Sequence, residues 1–231
     1  MTTLSRIPVC AACLAQPEPF DTEFFCISCR TAFVNPYPLA KDGRCALCRL
    51  GTRGFDVAYC FGAYEGTLSR LIQLMKFEGM RPLARPLGEF LWRALPLSTE
   101  ADAVVPMPLH WKRRYQRGFN QAELLAREVA RRRRIPVWNA VRRMRNTPSQ
   151  TELTSAQRRK NMEGAFCLTR RADVEGKKIL LVDDVMTTGA SASACASIIK
   201  RGGARSVTVL TVARADRRLT DFTAGTASGV A

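Results

Sequence analysis

Apolar residues recur along the chain in two patterns, one helical and one extended. From Leu68 onward, apolar residues stand at positions i, i+3, i+4 and i+7, which predicts an amphipathic helix over residues 66–78. The same spacing between Ala122 and Val129 predicts another helix after Gly118. Further helices are predicted at residues 82–95 and at Ala190–Arg201, where two glycines follow.

Short runs of apolar residues predict strands between these helices. They lie at residues 103–105, 135–141, 165–169, 178–185 and 206–213. Residues 146–160 are polar and predict a loop that runs into a short helix at 154–162. Because strands alternate with helices, the fold class is predicted to be α/β, with a mostly parallel sheet flanked by helices.

The first fifty residues differ from the rest of the chain. They contain five prolines, three Cys-x-x-Cys pairs and little sustained apolar pattern, so a bound metal is needed to stabilise them. We therefore predict a small cysteine-rich, zinc-ribbon-like segment at 7–54 and a main domain at 55–215. The polar, small-residue tail at 216–231 is predicted to be disordered.

Six of the nine cysteines form the pairs Cys10/Cys13, Cys26/Cys29 and Cys45/Cys48. Two such pairs complete a tetrahedral Zn²⁺ site, and we favour Cys26, Cys29, Cys45 and Cys48 as its ligands. Cys10 and Cys13 are either further metal ligands or reduced, unliganded thiols. The first residues lack the pattern of a secretion signal, and no apolar run reaches the roughly 20 residues of a membrane span. A cytoplasmic protein without a membrane span is expected.

The net charge of +16 is concentrated in the middle of the chain. Residues 110–160 contain 15 lysines and arginines against 3 acidic residues. Such a region suits a polyanionic partner, either nucleic acid or a pyrophosphate-bearing substrate, although a solvated basic face is the alternative. The chain has one histidine, His110, which argues against a Ser-His-Asp mechanism.

Two acidic residues, Asp183 and Asp184, directly follow the apolar run of residues 179–182. Ligands of open parallel sheets bind beyond the carboxyl ends of the strands, so this pair is a candidate site. The carboxylates can accept hydrogen bonds from vicinal sugar hydroxyls.

The next residues predict a phosphate-binding turn at the start of a helix. Gly189 permits a tight turn, and the first N–H groups of the helix carry partial positive charge. The hydroxyl groups that can add hydrogen-bond donors belong to Thr187, Thr188 and Ser191, with Ala190 between them. A strand end with an ordinary helix cap is the structural alternative.

The run ILLVDDVMTTG at 179–189 resembles the phosphoribosyl pyrophosphate (PRPP) signature of type I phosphoribosyltransferases. The chain also resembles the ComF competence family over roughly residues 7–215. The residues that carry this wider resemblance are the cysteine pairs, YEG at 64–66, VPMP at 105–108, RGFNQ at 117–121, Gln150, Arg158, Asn161 and AF at 165–166. It implies a phosphoribosyltransferase-like fold with an N-terminal zinc segment. Family members often have four cysteine pairs, whereas this chain has three.

The resemblance also implies roles for individual residues. Asp183 and Asp184 are the candidate catalytic residues and would hold the ribose hydroxyls, while Thr187, Thr188, Gly189, Ala190 and Ser191 would hold the 5′-phosphate. Arg117 and Asn120 would lie near the pyrophosphate, and Lys76 either faces the same cleft or is an exposed helical lysine. Gln150, Arg158 and Asn161 would belong to a loop that closes over the ligand. Mg²⁺ is expected to bind together with PRPP.

Two functions follow from these patterns. The first is a PRPP-binding protein of natural competence that handles incoming single-stranded DNA with a helicase partner, as the ComF resemblance implies. The DNA contacts are then predicted at Arg131–Arg134, Arg142, Arg143 and Arg145. The second is an active phosphoribosyltransferase with a base or amine acceptor.

Overall fold

The computed structural model describes residues 9–20, 23–33, 35–49, 54–145, 164–169 and 173–215. The N-terminal segment contains α1 (Ala11–Ala15), β1 (Phe24–Phe25), β2 (Ala32–Phe33) and α2 (Ala46–Arg49). The rest contains β3 (Val57–Ala63), α3 (Gly66–Phe77), a 3₁₀ turn (Arg81–Leu83), α4 (Ala84–Ala94), β4 (Ala103–Pro106), α5 (Trp111–Arg117), α6 (Gln121–Arg133), β5 (Val141–Arg143), β6 (Phe166–Leu168), β7 (Lys178–Met186), α7 (Ala190–Arg201) and β8 (Ser206–Arg214).

Four parallel strands form the central sheet in the order β3-β8-β7-β4. Strand β7 is central, and its register pairs Leu181 with Val105 on one side and with Val209 on the other. The carboxyl ends of all four strands therefore meet at one edge of the sheet. The predicted parallel sheet flanked by helices is confirmed.

Residues of β7 alternate between two hydrophobic layers. Leu180 and Val182 pack with α3, α4 and α6, whereas Ile179 and Leu181 pack with α7 and the cysteine-rich segment. Both faces of β7 are buried, which explains its uninterrupted apolar run. Among the described helices, none is long and apolar enough to cross a membrane.

The cysteine-rich segment lies against the main domain through backbone contacts. Phe20 donates its N–H to the Phe61 carbonyl at 2.8 Å, and Ala58 donates to Ser28 at 2.8 Å. Gly54 approaches α7 so closely that a Cβ atom would lie 2.1 Å from the Ser197 hydroxyl oxygen. A side chain at this position therefore cannot be accommodated without a shift of the backbone.

Three features of the sequence prediction are corrected here. Strand β3 was not predicted, because the small residues Ala58, Gly62 and Ala63 weaken its apolar pattern. Helix α5 follows β4 in a basic stretch for which no helix was predicted. In the strand expected at 135–141, Val137 forms only a single bridge to Val104, and β5 begins at Val141. The helix expected at 154–162 and the tail lie outside the described residues.

Candidate functional site

Asp183 and Asp184 lie near the carboxyl end of β7, as the sequence predicted, but they point to opposite faces of the sheet. Asp184 is buried on the α3 face, where its carboxylate oxygen lies 2.9 Å from the Lys76 Nζ atom. Asp183 is partly buried and lies on the α7 face, close enough to Cys195 to raise the pKa of that thiol, together with burial. The two carboxyl groups therefore lie in different layers of the domain, one on the α3 face of the sheet and one on the α7 face.

Lys76 belongs to the site rather than to the exposed helix surface. Its side chain is 18% exposed, and that of Asp184 is 4% exposed. Burial acts against the charged ammonium, but attraction to Asp184 and then to Asp183 outweighs it and raises the pKa of Lys76. The ammonium and the Asp184 carboxylate consequently stabilise each other as a buried ion pair.

Asp183 titrates close to neutral pH. Burial and repulsion by Asp184 raise its pKa to about 7, against the opposing effects of Lys76 and Arg143. A carboxyl group with this pKa exchanges a proton readily under physiological conditions, which is the property required of an acid-base group.

Two arginines add positive charge around the acid pair. Burial lowers the pKa of Arg117 and of Arg143. Asp184 and Asp183 act to raise the pKa of Arg117, and Asp183 acts to raise that of Arg143. Arg113 lies close to both and lowers the pKa of each further. The sequence does not predict Arg113 as a site residue, because α5 has no apolar pattern that predicts a helix. It assigns Arg143 to DNA binding, because β5 comes close to the acid pair only in the folded structure. A helix at 111–117 would have placed Arg113 and Arg117 on one face.

An open cleft of about 770 Å³ adjoins this charged centre. Its walls, within the described part of the chain, come from residues 76–79 and from 109–121, and include Lys76, Arg113, Arg117 and Gln121. Arg117 donates to the Gln121 side chain at 2.5 Å, which orients its guanidinium. The volume is within the range of small-molecule pockets. Lys76 connects the cleft to Asp184, whereas the turn at 187–191 is not part of these walls.

The turn that is predicted to bind phosphate contains a left-handed glycine at the start of α7. Gly189 adopts the left-handed conformation with φ +76°, has no side chain to cap α7, and accepts the N–H of Ser193 at 2.8 Å. Ala190 donates its N–H to the Thr188 hydroxyl at 3.4 Å, and Thr187 is exposed. The first turn of the twelve-residue helix α7 therefore begins beside the acid pair.

Asn120 has a structural role in this conformation. Its amide donates to the Met107 carbonyl at 3.0 Å, and its side-chain oxygen accepts the N–H of Ala122 and caps α6. A contact with pyrophosphate stays a prediction. His110 likewise caps α5 by accepting the Lys112 N–H at 3.3 Å. The predicted loop residues Gln150, Arg158 and Asn161 lie outside the described residues.

Four buried cysteines form a second candidate site. The sulfur atoms of Cys26, Cys29, Cys45 and Cys48 all lie within 4.8 Å of one another. This confirms that these two pairs come together, and four thiolates suit a structural zinc ion. The three neighbouring thiols lower the pKa of Cys29 by hydrogen bonding to its sulfur, and Arg214 acts in the same direction.

The remaining cysteine pair lies apart from this cluster. Cys10 is exposed, and its sulfur accepts the N–H of Cys13 at 3.5 Å. Within the described ranges, these two cysteines are not in a group of three or more potential metal ligands. The role of Cys10 and Cys13, as metal ligands or as unliganded thiols, stays a prediction.

The arginine run at the end of α6 is largely engaged within the fold. Arg132 pairs with Glu89, and Arg133 donates to the carbonyls of Pro96 and Thr99. Arg131 pairs with Glu128 at 3.0 Å but stays exposed. This run therefore offers less free positive charge than its sequence indicates.

This chain is similar in sequence to known proteins, and part of it matches a known domain family. The phosphoribosyl transferase domain family matches residues 116–222. Competence protein F of Haemophilus influenzae is 31% identical over 220 residues, which cover 92% of this chain and 93% of that protein. DNA utilization protein YhgH of Escherichia coli strain K12 is 33% identical over 159 residues, which cover 65% of this chain and 69% of that protein.

Among solved structures, the glutamine PRPP amidotransferase from B. subtilis in complex with ADP and GMP is 21% identical. The match has a TM-score of 0.40 and covers 56% of this chain and 26% of that chain.

Proposed function

The chain belongs to the competence protein F family, and we propose that it binds PRPP or a related ribose phosphate and acts in natural competence. The observation that supports this most is the acid pair near the end of β7, where Asp184 contacts the Lys76 ammonium and the turn at 187–191 follows the strand. The acids would hold the ribose hydroxyls and the turn would hold the 5′-phosphate. We place this activity in the cytoplasm.

The charge around the site suits a pyrophosphate. Lys76, Arg113 and Arg117 line the cleft next to the acid pair, and PRPP carries most of its negative charge on the pyrophosphate group. Mg²⁺ prefers phosphate oxygens and water to a cage of protein ligands, so the few carboxylates here fit an ion that arrives with its ligand. Bound Mg²⁺ would neutralise part of the pyrophosphate charge.

The cysteine cluster supports a structural Zn²⁺ ion. Its four thiols are buried against the main domain, and such an ion stabilises a segment too small for a core of its own. We propose that zinc holds the cysteine-rich segment beside β3 and α7.

The DNA role rests on the relatives and on charge. Competence protein F and DNA utilization protein YhgH carry names that refer to DNA uptake and use. A net charge of +16 favours binding to a polyanion. We propose that this chain handles incoming single-stranded DNA together with a helicase.

A second candidate function is transfer of the phosphoribosyl group to a base or amine. The pKa of about 7 for Asp183 favours it, because that carboxylate can accept the proton that the acceptor nitrogen loses. The anomeric C–O bond to pyrophosphate would break, pyrophosphate would leave with the bonding electrons, and a C–N bond would form. Positioning and charge stabilisation would provide most of the rate enhancement.

Thermal unfolding with PRPP and Mg²⁺ tests ligand binding. At 100 times its dissociation constant, PRPP should stabilise the protein by about 2.7 kcal/mol. Asp183→Asn should reduce this stabilisation, and Asp173→Asn, at an exposed position, should not. Tripolyphosphate is the control ligand, because it carries phosphate charge but no ribose. An equal shift with tripolyphosphate, or an equal shift in the Asp183→Asn protein, would contradict the proposed site.

Pyrophosphate release tests the second candidate function. The protein is incubated with Mg²⁺, PRPP and a panel of purine, pyrimidine and amine acceptors. Release that depends on one acceptor and is lost in Asp183→Asn supports transfer. If PRPP binds but no acceptor causes pyrophosphate release, the result favours PRPP as a bound ligand of a competence protein.

A further inference from the structure

Helix α5 exposes two large aromatic side chains. None of its seven residues is fully buried, and the exposed fractions are 65% for Trp111 and 88% for Tyr115. These residues stand at i and i+4, so their rings lie on the same side of the helix. Exposed rings of this size are not stabilised by packing in the core. Neighbouring exposed aromatic side chains on one helix are typical of a binding surface.

Two cationic side chains flank these rings, out of four cationic residues and no acidic residue in helix α5. Lys112 lies 5.6 Å from the centre of the Trp111 ring, and Arg114 is exposed while it pairs with Glu123 on α6 at 3.3 Å. Positive charge therefore lies beside the aromatic rings.

The helix presents a different pair of side chains to the cleft. Arg113 and Arg117, also at i and i+4, line the cleft and are partly buried. Trp111 and Tyr115 are therefore not needed for the contacts that the proposed ribose phosphate site makes with α5. We define the α5 platform as Trp111, Lys112, Arg114 and Tyr115.

We propose that the α5 platform binds single-stranded DNA, with bases stacked on Trp111 and Tyr115 and phosphates beside Lys112 and Arg114. This inference rests on the DNA role proposed above and gives it a location. Unpaired bases expose faces that stack on aromatic rings, whereas the bases of a duplex are covered by their neighbours. The arginine run of α6 lacks such rings, and two of its guanidinium groups are engaged in the fold.

Fluorescence anisotropy of a labelled oligo(dT) over a range of salt concentrations tests the platform. Trp111→Ala/Tyr115→Ala should weaken binding by about tenfold or more, with an unchanged salt dependence, because stacking carries no charge. Lys112→Ala/Arg114→Ala should lower the slope of log K against log salt by about 1.4, for two lost phosphate contacts. Trp111→Phe/Tyr115→Phe retains two rings and should keep most of the affinity.

Arg131→Ala/Arg134→Ala is the matched charge control, because both residues are exposed at the end of α6. It should change the affinity by less than about twofold. The PRPP stabilisation and the melting temperature should be unchanged in the Trp111→Ala/Tyr115→Ala protein. The stacking platform would be overturned if polyglutamate competed with the labelled DNA as well as unlabelled oligo(dT) does. It would also be overturned if the Trp111→Ala/Tyr115→Ala substitutions weakened duplex binding and single-stranded binding equally.

The outcomes separate this inference from the proposed function. If the wild-type protein does not bind single-stranded DNA at low salt, the proposed DNA role and the platform both fail. If it binds and the Trp111→Ala/Tyr115→Ala protein binds equally well, the DNA role stands and the platform alone is overturned.

Discussion

The Lys76 ammonium lies 2.9 Å from a carboxylate oxygen of Asp184 and joins α3 to the end of β7. Both groups are largely buried, so removing Lys76 alone would leave the Asp184 carboxylate buried without its partner. Because Lys76 also lines the cleft, this ion pair links the cleft to the acid pair.

We expect Lys76→Met to destabilise the protein by about 3–5 kcal/mol, because it leaves the Asp184 carboxylate buried without its partner. The double variant Lys76→Met/Asp184→Asn should be less destabilised than the sum of the single variants. Urea unfolding of the four proteins in this cycle measures the coupling. Strictly additive losses would show that the two side chains do not interact.

Asp183 should make the protein less stable as the pH rises. Its pKa is raised from 3.8 to about 7 in the folded protein by burial and by Asp184. Between these values the folded state binds more protons than the unfolded state, so stability falls with increasing pH through this window. Asp183→Asn removes the effect, and its stability relative to wild type should increase by at least about 1.4 kcal/mol between about pH 4 and pH 8.

Urea unfolding at several pH values measures this difference. Asp173→Asn is the control, since that residue is exposed and should show no such trend. Parallel pH profiles for the Asp183→Asn and wild-type proteins would show that Asp183 titrates as an ordinary carboxyl group.

The purified protein should contain about one zinc ion per chain, held by the four clustered thiolates. Cys45→Ser should abolish most of this zinc and make the cysteine-rich segment sensitive to protease, because metal binding stabilises such segments. Cys10→Ser/Cys13→Ser should retain about one ion. Metal analysis by mass spectrometry checks the count, and loss of zinc from the Cys10→Ser/Cys13→Ser protein would assign the ligands differently.

Arg214 should strengthen zinc binding without touching the metal. Its side chain is 1% exposed, and it donates to the Cys29 carbonyl at 2.8 Å. A zinc ion with four thiolates carries a net negative charge, which a buried guanidinium stabilises. We expect Arg214→Met to release zinc to a chromogenic chelator about 10- to 100-fold more readily. The exposed Arg205→Met is the control, and equal release from both variants would assign Arg214 a purely structural role.

Much of the fold and the centre of the site could be predicted from local patterns. The apolar run, the acid pair and the glycine turn of residues 179–191 are consecutive, and each type of residue favours one backbone conformation. The ligand spacing of Cys26/Cys29 and Cys45/Cys48 likewise indicates the thiol cluster. In these segments, sequence neighbours are also neighbours in space.

The remaining features depend on contacts between residues far apart in the chain. Lys76 meets Asp184, and Arg143 reaches Asp183, only because α3 and β5 pack near the same end of β7. The raised pKa of Asp183 arises from burial, which no single segment creates. Helix α5 could not be predicted because none of its residues is fully buried, so the apolar spacing that marks other helices is absent. Its two faces are distinguished only by the cleft, which packing between distant segments forms.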